Sequence, residues 1–284
     1  MENNKNKFNA GSFLLYDSQT MPKSHYKHLS HFALTDALIN YSGKYKQPII
    51  HFWQSSPLVI LGMMDTRIGR FQEGLEIFEG YEHDYIVRNS GGLAIVSDPG
   101  VLNVSLIYEQ TLTINQAYEF MLNFVRETFY PHFPKKEIKA FEIKNSYCFG
   151  DYDLSIDGQK VAGISQRRIQ NGVAIMIYIS VNGNQNKRAE ILKDFYDIGL
   201  DGSEPTGRYP KVKPEVMTTL EEAYQTDLSI EQVKKWMLSH FDWSKGSYSS
   251  EIMDNFDVAL DKMYQRNKRF LSEDYIKNKL DRRK

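Results

Sequence analysis

Apolar residues recur at three- and four-residue spacing over residues 21–40, through Leu29, Phe32, Ala33 and Ala37 with Leu34 and Leu38 beside them. That period predicts a helix, and Pro22 suits its first turn. Residues 47–62 (QPIIHFWQSSPLVILG) read as two short strands around a Ser-Ser-Pro turn. A short strand over 85–87 runs into Arg88-Asn89-Ser90-Gly91-Gly92, and another follows over 93–96. After the turn signal Asp98-Pro99-Gly100, residues 101–108 (VLNVSLIY) alternate. Leu102, Val104 and Leu106 form one face and Asn103, Ser105 and Ile107 the other, which predicts a strand with one apolar face. Residues 114–130 predict a helix with Ala117, Phe120, Met121, Phe124 and Val125 as its buried stripe.

Two hairpin signals, Asp157-Gly158 and Asn171-Gly172, separate strand patterns over 152–156, 159–168 and 173–181. These predict a three-stranded antiparallel meander. Helical patterns then fill 188–200, 230–241 and 256–280, and Gly and Pro cluster at 201–213 as a candidate boundary. The whole reads as an α+β chain, with a mixed or antiparallel sheet flanked by helices.

Composition narrows the class. Hydrophobic residues at 41% over 284 positions are enough for a substantial core. A net charge of −1 provides no global field for nucleic acid or an anionic membrane. The first residues (MENNKNKFNAGSF) lack the apolar core of a signal peptide, and the longest apolar run, 173–181, is too short to span a bilayer. A single cysteine forms no internal disulfide, so a cytoplasmic protein is expected.

Motifs remove several chemistries. There is no GxxxxGK[ST], no GxGxxG after a strand, no HExxH and no CxxC. His25, His28 and His31 lie three apart on the first helix; a solvated or packed row is expected there rather than a metal site. Arg167-Arg168 on a strand reads as a solvated edge rather than a nucleic-acid contact. Two features remain. Arg88 to Gly92 is either a tight turn needing positive φ or a place where backbone approaches a ligand closely. Cys148, in NSYCFGDYDLSIDGQKVAGISQRR (residues 145–168), is either an inert core thiol or a nucleophile. Gly150 and Asp151 place it on a loop, and a cation such as Lys160 nearby would raise its thiolate fraction. Pairing across Asp157-Gly158 sets Lys160 opposite Ser155, and a straight strand of about 3.3 Å per residue would keep Cys148 more than about 20 Å away. The loop 144–151 must therefore fold back, with Gly150 as its bend.

These residues resemble a known family. Arg88-Asn89-Ser90-Gly91-Gly92 with Ala94, Asp98, Gly100, Leu102-Asn103 and Ser105-Leu106 resembles the first signature of the biotin/lipoate protein ligase and octanoyltransferase superfamily. Lys160-Val161-Ala162-Gly163 with Ser165-Gln166-Arg167-Arg168 resembles its second, and the segment around Cys148 is similar to its cysteine-dependent amidotransferase branch. That branch moves octanoyl or lipoyl groups from a lysine of the glycine cleavage H protein to lysines of lipoyl domains on 2-oxoacid dehydrogenase subunits, through a thioester and without ATP. The resemblance implies Cys148 as nucleophile and Lys160 as the lysine that activates it and contacts the acyl carbonyl. It implies Arg88, Ser90, Gly91, Gly92, Asn103 and Gly163 as substrate-binding residues. It further implies a catalytic unit over 40–245 with its core at 58–200, followed by a helical extension over 246–284. Neither metal nor cofactor is expected. An ATP-dependent lipoate or biotin ligase, a transferase using acyl carrier protein, and an inactive carrier-binding protein are the competing readings. Leu93, where many lipoate ligases carry a third glycine, counts against a bound adenylate.

Overall fold

A computed structural model of the chain describes residues 12–17, 27–202 and 207–280. β1 (Phe13–Asp17), α1 (Lys27–Tyr45) and β2 (Ile49–Trp53) come first, and β3 (Leu58–Leu61) follows. α2 (Phe71–Gly80), β4 (Asp84–Val87), β5 (Ile95–Ser97) and β6 (Val101–Glu109) continue the chain. Next are α3 (Ile114–Phe129), β7 (Lys139–Ala140), β8 (Asp153–Ile156), β9 (Gln159–Ile169) and β10 (Gly172–Ser180). α4 (Gln185–Gly199), α5 (Leu220–Tyr224), α6 (Ile230–Leu238), β11 (Trp243–Lys245) and α7 (Ser250–Lys268) complete it. Eight strands form one mixed sheet in the order β11-β1-β2-β6-β10-β9-β8-β7, and β4-β3-β5 form a second, so the α+β expectation holds. β1 and most of α1 lie before the 40–245 segment, yet β1 pairs with β2 in the large sheet and α1 packs on its face.

The meander β8-β9-β10 has the expected hairpins, and the two strands around Ser-Ser-Pro exist but belong to different sheets. Helix α1 ends later than the pattern suggested; residues 21–26, with Pro22 and His25, lie outside the described residues. The C-terminal pattern at 256–280 is broken: α7 stops at Lys268, and after a fresh N-cap at Ser272 helix resumes over Glu273–Tyr275 and Ile276–Leu280. Helix α2 has no counterpart in the sequence reading. Its Gly74 and Gly80 obscure the helical period, and Gly74 is there for packing: a Cβ on it would lie 2.9 Å from the Phe195 ring.

β6 is the expected strand. Its Leu102, Val104 and Leu106 pack toward α3 and α6, as an apolar face should. The opposite face, carrying Asn103 and Ser105, is also buried, beneath α1 and the second sheet. Asn103 stands in a lateral row of paired positions, Trp53–Asn103–Tyr178–Gly163–Asp153, that crosses five strands. This row is part of the floor of the site.

The C-terminal helices close an edge. In the second sheet β4 has a neighbour on one side only. On its open side the Asn267 side chain, at the end of α7, accepts from Val87 N–H at 2.8 Å and donates to Val87 O at 3.1 Å. Tyr275 repeats the pattern two residues back, its hydroxyl accepting from Tyr85 N–H at 2.5 Å and donating to Tyr85 O at 3.1 Å. The extension thereby fixes the strand that leads into Arg88.

Candidate active site

A cavity of about 340 Å³ lies between the floor row, α1, the second sheet and two loops, within the size range of small-ligand sites. Seven of the eight site residues named from the sequence line it: Arg88, Ser90, Gly91, Gly92, Asn103, Cys148 and Gly163. Lys160 lies behind it, buried. Gly163 is required by a neighbour, since a Cβ there would lie 2.8 Å from the Tyr178 ring.

The loop carrying Cys148 does fold back. Asp153 N–H donates to Gly150 O at 3.1 Å, closing the bend, and Cys148 itself has φ of 48°. A non-glycine residue in the left-handed region costs of order 1 kcal/mol, so the surroundings must hold it. Lys160 does so. Its ammonium donates to Tyr147 O at 2.9 Å and Cys148 O at 2.8 Å, and pairs with Asp153 Oδ1 at 2.7 Å. Asp153 Oδ2 accepts from Ile143 N–H at 3.1 Å and Gly150 N–H at 3.2 Å. One buried ion pair thus grips the loop on both sides of the cysteine. Burial pushes the Asp153 carboxyl up, against the pull of Lys160. The resemblance puts Lys160 beside the acyl carbonyl; the structure puts its ammonium under the loop, with its three N–H donors matched by three close acceptors. Asp153 carried no signal of its own in the sequence, because a strand-initial aspartate usually faces water.

The Gly-Gly loop meets the cysteine loop. Gly92 has φ of +94°, and a Cβ there would lie 2.3 Å from Arg88 Nη2 and 3.1 Å from Cys148 Sγ. The turn reading holds at Gly92, which has positive φ, and the backbone there passes close to Cys148 Sγ. Arg88 Nη2 donates to Leu93 O at 2.8 Å and lies 3.6 Å from Cys148 Sγ. Gly92→Ala is expected to push the guanidinium off this position, slowing acyl transfer at least about 10-fold while costing about 1–2 kcal/mol of stability. Comparing the single-turnover rate with the melting temperature separates the two effects.

Behind this loop sits a third glycine, Gly62, which the sequence reading missed. A Cβ on it would lie 1.9 Å from Gly92 O. Its N–H donates to Asp65 Oδ2 at 2.7 Å, and Tyr196 hydroxyl donates to Asp65 Oδ1 at 2.8 Å. Burial raises the Asp65 carboxyl to about 6 from an ordinary 3.8. The folded state therefore holds this proton more tightly than the unfolded chain does. Asp65 makes stability fall as pH rises from about 4 to about 6, by on the order of 3 kcal/mol when fully ionised. Asp65→Asn should accordingly gain on the wild type between pH 4 and pH 7 in paired denaturant titrations. A constant difference across that range would contradict the assignment.

The arginine pair departs from the solvated edge expected. Arg167 forms a two-pronged pair with Asp36 of α1 and donates to Asn89 O at 2.7 Å, while Asn89 Nδ2 donates to Asp36 Oδ2 at 3.0 Å. Arg168 donates to Leu112 O at 3.0 Å. Arg167 ties α1 to the loop after β4. Asp98 and Gly100 of the first signature are also structural, since buried Arg188 pairs with Asp98 Oδ1 at 2.7 Å and a Cβ on Gly100 would lie 2.8 Å from its Nη2. Of the histidine row, His28 pairs with Asp84 at 2.9 Å and His31 stacks on Trp53. Among the described residues no three His, Cys, Asp or Glu side chains converge as a metal-binding group, and no described helix is long and apolar enough to cross a membrane.

Comparison with known proteins agrees with this geometry. The chain is 43% identical over 210 residues to octanoyl-[GcvH]:protein N-octanoyltransferase of Oceanobacillus iheyensis, covering 73% of this chain and 75% of that one. It is 37% identical over 265 residues to the protein of that name from Lysinibacillus sphaericus, covering 90% and 95%. It is 35% identical over 250 residues to lipoyl-[GcvH]:protein N-lipoyltransferase of Listeria monocytogenes, covering 85% and 89%. The fold is shared with a crystal structure of lipoate-protein ligase A bound with ATP, at TM-score 0.67 and 16% identity over 89% of this chain and 94% of that one. The bi-partite lipoate protein ligase of Thermoplasma acidophilum matches at TM-score 0.65 and 15% identity over 92% and 98%. Residues 27–242 match the lipoyl protein ligase A/B catalytic domain, and with these relatives beside it the chain belongs to that family, in its branch of octanoyl-[GcvH]:protein N-octanoyltransferases.

Proposed function

We propose that this chain is an acyltransferase that moves an octanoyl group from a lysine of the glycine cleavage H protein to lysines of lipoyl domains, through a thioester on Cys148 and without ATP. One observation carries the thioester step. The only cysteine of the chain lies at the cavity where the Gly-Gly loop and the Lys160-braced loop meet. The names of the relatives support the donor and the acyl group.

The chemistry balances. The Cys148 thiolate attacks the carbonyl carbon of the acyl-lysine amide; the S–C bond forms, the C–N bond breaks, and the departing amine takes a proton. An acceptor amine then attacks the thioester, re-forms a C–N bond, releases the thiolate and gives up a proton. One amide replaces another, so no energy input is needed, and the thiolate divides one difficult step into two. Eight acyl carbons buried at about 0.8 kcal/mol per CH₂ contribute several kcal/mol of anchoring. Every group in this scheme is available in the cytoplasm, where the thiol stays reduced.

Lipoyl in place of octanoyl is a second reading, favoured by the Listeria relative. The test is intact mass after mixing with octanoylated or lipoylated H protein in the absence of ATP. An adduct that hydroxylamine removes supports the relay, and the faster donor identifies the acyl group. Acylation of a lipoyl domain only when ATP and free acid are added would instead mean a ligase.

A further inference from the structure

We propose that four arginines beside the cavity, Arg67, Arg208, Arg266 and Arg269, form the docking surface for an acidic face of the donor H protein. This rests on the reading of the chain as a transferase whose acyl group arrives on a protein.

The surface is built outward from the Gly-Gly loop. Gly62 packs against Gly92, and Met63, next in the chain, receives Arg266 Nη1 from the end of α7 at 3.1 Å. Met64 follows, and the Tyr209 hydroxyl donates to its carbonyl at 2.9 Å. Arg67 lies three residues on, its Nη1 3.9 Å from Met64 Sδ. Burial raises the Tyr209 hydroxyl, and Arg208 and Arg67 beside it oppose that rise. Beyond Tyr209 the chain reaches the cysteine loop, where Lys213 N–H donates to Asn145 O at 2.8 Å. A strip of positive charge thus runs from the end of α7, past the Gly-Gly loop, toward the loop of Cys148.

Two observations point to an anionic partner. Like charges are gathered in this strip. Arg266 is partly buried and is held below the usual arginine range, by burial first and then by repulsion from Arg167 and Arg269. Counter-charge is also missing. The carboxylates nearby are taken: Asp36 by Arg167, Asp201 by Arg70 and Glu273 by Lys268. Among the described residues no carboxylate pairs with any of the four arginines. The chain as a whole carries only −1, so the positive field here is local. Planar guanidinium groups match carboxylates with two parallel hydrogen bonds. The donor amide sits on a protein, so a protein surface must cover this rim whenever the acyl-lysine enters the cavity. An acidic face there supplies the missing charge and steers the approach.

Loading of Cys148 would be followed by intact mass over a range of octanoylated H protein concentrations. The proteins are the wild type, Arg266→Glu/Arg269→Glu, Arg67→Glu/Arg208→Glu and the control Lys135→Glu/Lys187→Glu. The control changes net charge equally, at exposed positions elsewhere. Melting curves check folding, and the two arginine pairs are made separately so that one folded variant suffices. KM should rise at least about 10-fold in each arginine variant, with most of the effect in KM rather than in the maximal rate, and the control should stay within about 2-fold of wild type. Between about 25 and about 250 mM NaCl the wild-type KM should rise at least about 5-fold, and that of the arginine variants less than about 2-fold. Equal KM in arginine and control variants, or a wild-type KM indifferent to salt, would overturn the proposal. So would arginine-dependent binding to vesicles of phosphatidylglycerol with an unchanged donor KM. Binding of fluorescently labelled H protein, read by anisotropy without turnover, keeps this inference apart from the relay. No adduct with arginine-dependent binding defeats the relay and leaves the docking surface; an adduct with binding indifferent to the arginines does the reverse.

Discussion

Cys148→Ser is expected to form no octanoyl adduct with octanoylated H protein and to lose acyl transfer by at least about 10³-fold, while melting within about 2 °C of the wild type. A serine hydroxyl at this place is not ionised at neutral pH. Arg88, whose Nη2 lies 3.6 Å from Cys148 Sγ, is no base and cannot take its proton. The structure argues for little effect on folding. The cysteine is only partly buried and lines the cavity, and Lys160 holds its loop through its carbonyl and not its side chain. Intact mass reads the first part and a thermal melt the second. Retained transfer by the folded variant would show that the acyl group never rests on Cys148.

Lys160→Met should act through stability as well as rate. Removing the ammonium leaves the Asp153 carboxylate buried and unpaired, and takes the donor from the carbonyls of Tyr147 and Cys148. Breaking a buried pair from one side costs about 3–5 kcal/mol, and a chain of this size loses about 2–4 °C per kcal/mol. A melting point lower by about 6–20 °C is therefore expected, with adduct formation strongly reduced. Adding Asp153→Asn removes the stranded charge and should return about 2 kcal/mol, because neighbours in one network are not additive. Denaturant midpoints across the four proteins of the cycle measure this. A Lys160→Met variant as stable as wild type would mean that the ion pair does not hold the loop.

How far the sequence reached depends on which forces are local. The hairpins at Asp157-Gly158 and Asn171-Gly172 are set by backbone preference, and they appear where the residues place them. The folded-back loop also followed from local geometry, because strand length alone forbade a straight path from Cys148 to Lys160. The role of Lys160 did not follow. Its partner Asp153 adjoins Gly163 only through strand pairing, and nothing local distinguishes an aspartate that will be buried from one that will be solvated. The alternation in β6 marked one apolar face, but a period of two records polarity and not what lies above Asn103 and Ser105. Gly62 was missed for the same reason: its need for the absent Cβ comes from Gly92 O, thirty residues away in the chain. Helix α2 was missed because Gly74 answers to packing against Phe195 rather than to propensity.

The two side chains on β4, from Asn267 and Tyr275, have a consequence for how the molecule behaves in company. Each supplies a donor and an acceptor at the spacing a neighbouring strand would offer, so β4 ends up fully partnered without one. An uncovered strand edge recruits other chains and seeds aggregation. Here the edge to be covered is the one that leads into Arg88. A form of the chain ending before α7 would therefore be sticky, because the amides left open on β4 would be free to pair with a second molecule beside the strand that leads into Arg88.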